Sequence, residues 1–240
     1  MKVAICISGL IRDFNKSSLI DFISRLPSKP DIFITTWDIR YSHIPLEHVD
    51  NQIIELSTFD GLNAKEIEIK KWDGLGLNHH HNKNMDILTF EKKSKYENDN
   101  NFKYDIVYKS RFDIEYYGEL YSEIKINNDL FMPICIPFIG ESELIIFKNS
   151  NKIDIDFYIE KWYNEENIIP ENYRNGCNYW DDYPHGNIYF TSSDNIDKIR
   201  ECFRNNMNNE DIHYLLKNTN LNFKKFNRGF AYLKNYRKIN

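Results

Sequence analysis

Cysteine is scarce and scattered in this sequence. The 240 residues hold four, Cys6, Cys135, Cys177 and Cys202, far apart and without a C-x-x-C pair. That spacing argues against a zinc site and against a disulfide framework, and it suits a reducing compartment. Long hydrophobic runs are missing as well. The apolar stretch near the start covers only residues 3–7 before Ser8 and Gly9 interrupt it, too short for a signal peptide or a membrane span. A soluble, cytoplasmic protein is therefore expected. There is no excess of positive charge: 31 Lys and Arg face 36 Asp and Glu, a formal net charge of −5, and nothing in that balance suggests nucleic acid as the main partner. No internal repeat and no linker divides the chain, so a single domain is expected.

What is present is the makeup of a folded chain. Hydrophobic residues contribute 41% and aromatic residues 15%, as in globular proteins and unlike disordered ones. Residues 3–7 have the continuous apolarity of a strand buried on both faces, as in a parallel sheet. Ser17 and Ser18 can cap a helix on which Leu19, Ile20, Phe22, Ile23 and Leu26 recur at helical spacing, until Pro27 and Pro30 stop it. Residues 31–36 form a second strand ending at Trp37 and Asp38, which completes a β-α-β unit with parallel strands. The pattern over 45–56 is helical, and residues 66–70 alternate Ile67 and Ile69 with charge as a third strand does. Residues 72–85 form a polar loop that holds His79, His80 and His81. Adjacent histidines cannot all face one ion in regular structure, so a solvated loop is the simplest reading, with a zinc site or a ring packed near a bound base as alternatives. An amphipathic helix over 86–98 follows, through Ile87, Leu88 and Phe90.

The rest of the chain is organised around residues 104–117, YDIVYKSRFDIEYY. They open with the β-branched and aromatic run Ile106-Val107-Tyr108 and end in charge at Arg111, Asp113 and Glu115. In open α/β sheets the carboxyl ends of the strands are where ligands bind, so Ser8, Gly9, Arg12, Thr36 and Asp38 are expected to share that edge with Arg111, Asp113 and Glu115. Two carboxylates two residues apart in extended chain point the same way, about 7 Å apart at Cα. Asp113 and Glu115 can share one hard divalent cation and, through it, a diphosphate; the planar fork of Arg111 suits a phosphate oxygen. An exposed turn with ordinary surface ion pairs is the plainer alternative.

Beyond Gly118 the expected order is looser. Residues 130–138, with Pro133 and Pro137, suggest a bent or edge strand. Residues 143–147 suggest another strand, 153–163 fit helix or strand, and 168–187 form a long polar, aromatic loop of the kind that carries function. A short strand over 188–190 precedes a helix capped by Ser193 or Asp194 and carrying Ile196, Ile199 and Phe203; a further helix begins near Glu210. Residues 224–238 hold Lys224, Lys225, Arg228, Lys234, Arg237 and Lys238 with no acidic residue; a solvated helix or a phosphate-facing segment is expected, with a nucleic-acid patch or peripheral contact with an anionic membrane as the alternative role.

Several of these landmarks, in order, resemble small GT-A-like glycosyltransferases of bacterial surface-polysaccharide loci and large DNA viruses. The landmarks are Ser8-Gly9-Leu10-Ile11-Arg12, residues 31–38 (DIFITTWD) and residues 104–113 (YDIVYKSRFD). The family pattern is SGQLR, DIFIHTWD and YDxVIRxRxD. This chain departs from it at Leu10, Ile11 and Phe112, and His185-Gly186-Asn187 stands where the family has an Asn-Asp pair. The resemblance implies one GT-A-like (Rossmann-like) α/β domain over 1–240, mostly parallel and flanked by helices, with a nucleotide-binding half over 1–117 and an acceptor-side half over 118–240. It implies transfer of a sugar from a UDP- or GDP-sugar to a glycan or other hydroxyl acceptor. Asp113 and Glu115 would hold Mn²⁺ or Mg²⁺, and Ser8, Gly9, Arg12, Thr36, Asp38, Arg111 and Asp113 would bind the nucleotide sugar. Asp182 and Asp181 would be the first candidates for the base, ahead of Glu141 and His185. A non-catalytic nucleotide- or carbohydrate-binding module on the same fold is the alternative.

Overall fold

A computed structural model of the chain describes residues 1–11, 14, 16–26, 28–41, 49–72, 79–112, 114–118, 129–135, 189–205 and 218–233. At 41, 49–52, 79–82, 114–118, 129, 131–135 and 223–233 only the backbone is described. The elements are β1 (Val3–Ser8), α1 (Lys16–Arg25), β2 (Asp31–Trp37), β3 (Ile39–Tyr41), β4 (Val49–Ile53), a 3₁₀ turn (Leu56–Phe59), β5 (Glu66–Lys70), α2 (His79–Asp99), β6 (Ile106–Ser110), β7 (Ile114–Gly118), β8 (Asp129–Cys135), β9 (Tyr189–Thr191), α3 (Ser193–Asn205) and β10 (Asn222–Leu233). Eight strands form one sheet in the order β5-β2-β1-β6-β9-β8-β10-β7, while β3 and β4 pair separately. The first four run parallel; β9 is antiparallel to both β6 and β8, β8 and β10 are parallel, and β7 is antiparallel to β10. This is an α/β protein with a mostly parallel mixed sheet and, among the described residues, three helices, compatible with a Rossmann-like fold.

Alternation along the central strands divides the core in two. Val3, Ile5 and Ile7 of β1 face the same way as Ile32, Ile34, Ile106, Tyr108 and Phe190, and Leu19 and Phe22 of α1 cover them. Ala4, Cys6, Phe33, Val107 and Tyr189 face the other way, against Ile87 and Phe90 of α2 and Ile196, Ile199 and Phe203 of α3. Both faces are covered, which is why all six residues of β1 are buried and read as an unbroken apolar run. Each such side chain contributes roughly 1.5–3 kcal/mol by leaving water.

Six expectations change. Residues 49–53, expected in a helix, form β4, paired antiparallel with β3. Val49 and Ile53 share a face in a helix and equally in a strand, so their period did not decide between them. Residues 79–85, expected in a polar loop, are the start of α2. Its inward stripe is Asp86, Phe90, Lys93 and Glu97, all buried, so apolar periodicity was absent over much of its length. The strand with Pro133 is not at an edge: β8 lies between β9 and β10. Its proline pairs with Phe226, where the β10 register breaks before resuming at Phe230, and an irregularity of that kind absorbs a missing ladder donor. Lys224, Lys225 and Arg228, expected in a solvated helix, belong to β10, an interior strand of the sheet. Finally, Ser192 rather than Ser193 or Asp194 caps α3, its hydroxyl accepting from the Asn195 amide at 3.3 Å. Ser17 and Ser18 likewise fall within the first turn of α1. The elements expected over 143–147, 153–163 and near Glu210 lie outside the described residues.

The sheet cannot be flat. Four strand steps separate β6 from β7, about 19 Å at the usual spacing, yet only Arg111, Phe112 and Asp113 join them, a span of about 13 Å. The far strands therefore curl back, and β7 is in contact with α1.

An ionic network joins α2 to α3 at the amino edge of the sheet. Lys93 and Glu97, both with fully buried side chains, pair at 3.1 Å, and the Lys93 ammonium also reaches Ser193 Oγ at 2.5 Å and Asp197 Oδ1 at 3.4 Å. Glu97 Oε1 accepts the Tyr104 amide at 2.8 Å, which fixes the start of β6. Burial alone raises the Asp197 carboxyl; Lys93, then Lys103 and Ser94, outweigh it and hold it below the ordinary range. A depressed carboxyl lends stability that is present above its unfolded pKa and is lost as pH falls through the folded one. Acid unfolding followed by circular dichroism should show wild type weakening below about pH 4, with a shallower acid limb in Asp197→Asn; parallel limbs contradict the assignment.

Candidate functional site

The strands β2, β1 and β6 are adjacent, parallel and in register at their carboxyl ends, where Ser8 pairs with Thr35 and Ile7 with Ser110. Ser8 and Gly9, Thr36 to Asp38, and Ser110 with Arg111 therefore meet at one edge. β7 starts from this edge too, because it follows β6 and runs the opposite way, which puts the Glu115 backbone beside it. The expected convergence of Ser8, Gly9, Thr36, Asp38 and Arg111 is thus present in the described backbone.

The turn after β1 is held from several sides. Gly9 has φ 108°, a conformation open to glycine and strained for other residues. Its amide donates to the Thr35 carbonyl at 3.2 Å, and its carbonyl accepts from Thr36 Oγ1 at 2.9 Å. Two residues on, Ile11 forms a parallel bridge with Arg40 of β3. Thr36 is fully buried, so it serves this edge by bracing Gly9 and does not present an open hydroxyl. Asp38 is half-buried and more accessible. Its Oδ1 accepts the Trp72 amide at 2.8 Å and its backbone amide donates to Lys70 O at 2.8 Å, which fixes the carboxylate with Oδ2 unpartnered among the described residues. Beside it, Trp37 and Trp72 meet edge to face at 5.1 Å, and together with Leu10 and Met85 they form a small apolar cluster.

Beneath the turn lies a group that sequence reasoning missed. Ser8 donates its hydroxyl to Asp86 Oδ1, and the Lys109 ammonium reaches the same oxygen at 2.9 Å with both side chains nearly inaccessible. Lys109 also donates to the Ser110 carbonyl at 3.2 Å. The hydroxyls of Thr35, next to Ser8 in register, and Tyr189, next to Lys109, are buried without a partner among the described residues; each arrangement of that kind costs about 1–3 kcal/mol. Burial, reinforced by Asp86, pushes the Tyr189 phenol well up. Burial pushes the Cys6 thiol up to about 12 despite Lys93 and Lys109. One signal was available. Lys109 follows directly on the apolar run Ile106-Val107-Tyr108 in a strand buried on both faces, and a charge buried there requires a counter-charge.

Arg12, Asp113, Glu141, Asp181, Asp182 and His185 lie outside the described residues, as does the Glu115 side chain. The backbone of His79, His80 and His81 forms the first turn of α2. No group of three or more His, Cys, Asp and Glu suited to a metal occurs among the described residues. A cavity of about 530 Å³ lies along α3, lined by Asp194, Asp197, Glu201, Cys202 and Thr219 among others, and no strand-tip residue lines it. No helix among the described residues is long and apolar enough to cross a membrane.

Gly9→Ala should lower stability in urea by on the order of 1–3 kcal/mol; an unchanged midpoint contradicts the strained turn. Native protein at pH 8 should leave Cys6 unalkylated by iodoacetamide until denaturant is added, because only the thiolate reacts; modification mapped to Cys6 in the native protein contradicts the burial. Neither a model of a known protein family nor a curated protein sequence matches the chain.

Proposed function

We propose that this chain is a GT-A-like glycosyltransferase that moves a sugar from a nucleotide-diphosphate donor to a hydroxyl acceptor. The observation that carries the reading is the registered convergence of the β1, β2 and β6 tips, which gathers Gly9, Asp38 and Arg111 at one edge just before Asp113 and Glu115. The antiparallel placement of β9 beside β6 is compatible with it. The ordered resemblance of the strand-end motifs supports it independently.

In this reading Asp38, its carboxylate already oriented by the Trp72 amide, accepts a ribose hydroxyl, and the apolar ring edge of Trp72 lies beside the nucleoside. Arg111 and Arg12 offset charge developing on the departing diphosphate. Asp113 and Glu115 would hold Mg²⁺ or Mn²⁺, which supplies further positive charge at the diphosphate when bound. Asp182 or Asp181 removes the proton of the acceptor hydroxyl as it attacks the anomeric carbon. Contact with a membrane surface and the identity of the acceptor glycan belong to the same proposal.

The test is a thermal-shift screen of UDP-, GDP-, CMP- and dTDP-sugars, with and without Mn²⁺, since a ligand that binds only the folded state raises the melting temperature. A metal-dependent shift with one nucleotide class, lost in Asp113→Asn together with about 100-fold or more of any transfer rate, is the expected result. No shift with any donor, or full activity of Asp113→Asn, contradicts it.

A further inference from the structure

We infer that the buried Ser8, Asp86 and Lys109 chain is a positioning device for the Gly9–Ile11 turn, and that Asp86 and Lys109 set the backbone that a diphosphate or nucleoside meets at this edge. The identity of that ligand rests on the glycosyltransferase reading; the positioning itself does not.

The turn is contacted from three elements besides its own strand. β2 supplies the Thr35 carbonyl and the Thr36 hydroxyl to Gly9, β3 bridges to Ile11, and α2 reaches it through Asp86 and Ser8. The third contact runs through an ion pair, with Lys109 at 2% side-chain exposure and Asp86 at 11%. In the same layer of the core, Ala4, Phe33 and Val107 pack as apolar side chains. An ion pair there is not required for burial, because well-packed apolar residues of similar volume are generally at least as stabilising. What the pair adds is direction: one carboxylate oxygen is held by two donors, so the Ser8 side chain, and with it the backbone entering Gly9, has one arrangement that satisfies all three groups. Asp86 sits in the second turn of α2, so the same contact locks that end of the helix to the β1 tip. Neither Asp86 nor Lys109 needs to touch a ligand to do this. Both act through Ser8.

A second buried pair serves as an internal control. Lys93 and Glu97 are buried even more completely, but they lie at the amino edge and hold Tyr104. A merely structural ion pair behaves like this one: its loss lowers stability without a local effect on Gly9–Ile11.

The experiment is hydrogen–deuterium exchange of the unliganded full chain, comparing wild type with Ser8→Ala, with the charge-free double variant Asp86→Asn/Lys109→Met and with the control Lys93→Met/Glu97→Gln. The double variant leaves no unpaired buried charge, and Ser8→Ala leaves the ion pair intact, so a folding failure in one does not remove the other. Exchange at Gly9–Ile11 should rise about tenfold in Ser8→Ala and in the double variant relative to the β6 amides, and should be unchanged relative to them in the control. Equal exchange in all four proteins, or the same rise in the control, overturns the inference. Titration of the same proteins with UDP, GDP, CMP and dTDP in Mg²⁺ separates the two proposals. If wild type binds one nucleotide, the double variant should bind it about tenfold more weakly, and equal affinity overturns the link to the ligand. If wild type binds none, the glycosyltransferase reading falls, and the exchange result alone decides the positioning role.

Discussion

Lys109 and Asp86 are buried together, and neither could be buried alone. An isolated ammonium or carboxylate in a core is penalised by several kcal/mol, so the strand that carries Lys109 and the helix that carries Asp86 must meet in one rotation and one register. That meeting point is the carboxyl tip of β1, where Ser8 adds its hydroxyl to the same oxygen. The backbone beyond, through Gly9 to the bridge at Ile11, follows from it. The edge at which three parallel strands end is thus tied down from inside the protein, and the residues facing outward there need not hold themselves in place.

Polar contacts also shape the opposite edge. Lys93, Glu97, Ser193 and Asp197 join α2 to α3 and to the start of β6, so α2 is fastened near each end by buried charge and between them by Phe90 packed in the core. At the outer side of the sheet the Lys92 ammonium pairs with Glu66 and Glu68 on the edge strand β5, at 3.2 and 2.7 Å. Charge on an edge strand discourages pairing with another chain. The helix most involved in the core is also among the most polar segments of the sequence, because its inward groups satisfy one another.

That polarity explains where the sequence was legible and where it was not. β1, β2 and β6 read as short apolar runs buried on both faces, β5 as an alternation of apolar and charged residues, and α1 and α3 as a 3.6-residue period, so their existence and order followed from the pattern. The amino end of α2 did not, because Lys83 and Asp86 occupy buried positions where periodicity looks for apolar residues. The β3–β4 pair was hidden by a spacing common to helix and strand, and β8 by a proline that its neighbour accommodates with a register break. For the site, the strand tips were legible because parallel strands deliver their ends to one edge. Ser8 and Thr36 were located correctly at that edge, yet their burial and hydrogen bonds depend on tertiary partners, Asp86 and Gly9, that lie far away in sequence.

In the proposed glycosyltransferase reading the ligand binds at the carboxyl edge rather than in the cavity along α3. The most direct measurement is an amide and indole NMR titration of the labelled chain with a nucleoside diphosphate in the presence of Mg²⁺. Binding at the edge shifts the Gly9 and Leu10 amides and the Trp37 and Trp72 indole signals and leaves the outer face of α3 unchanged. Shifts confined to Asp194, Glu201 and Cys202, or no shifts with any nucleotide, would contradict a nucleotide site at the strand tips.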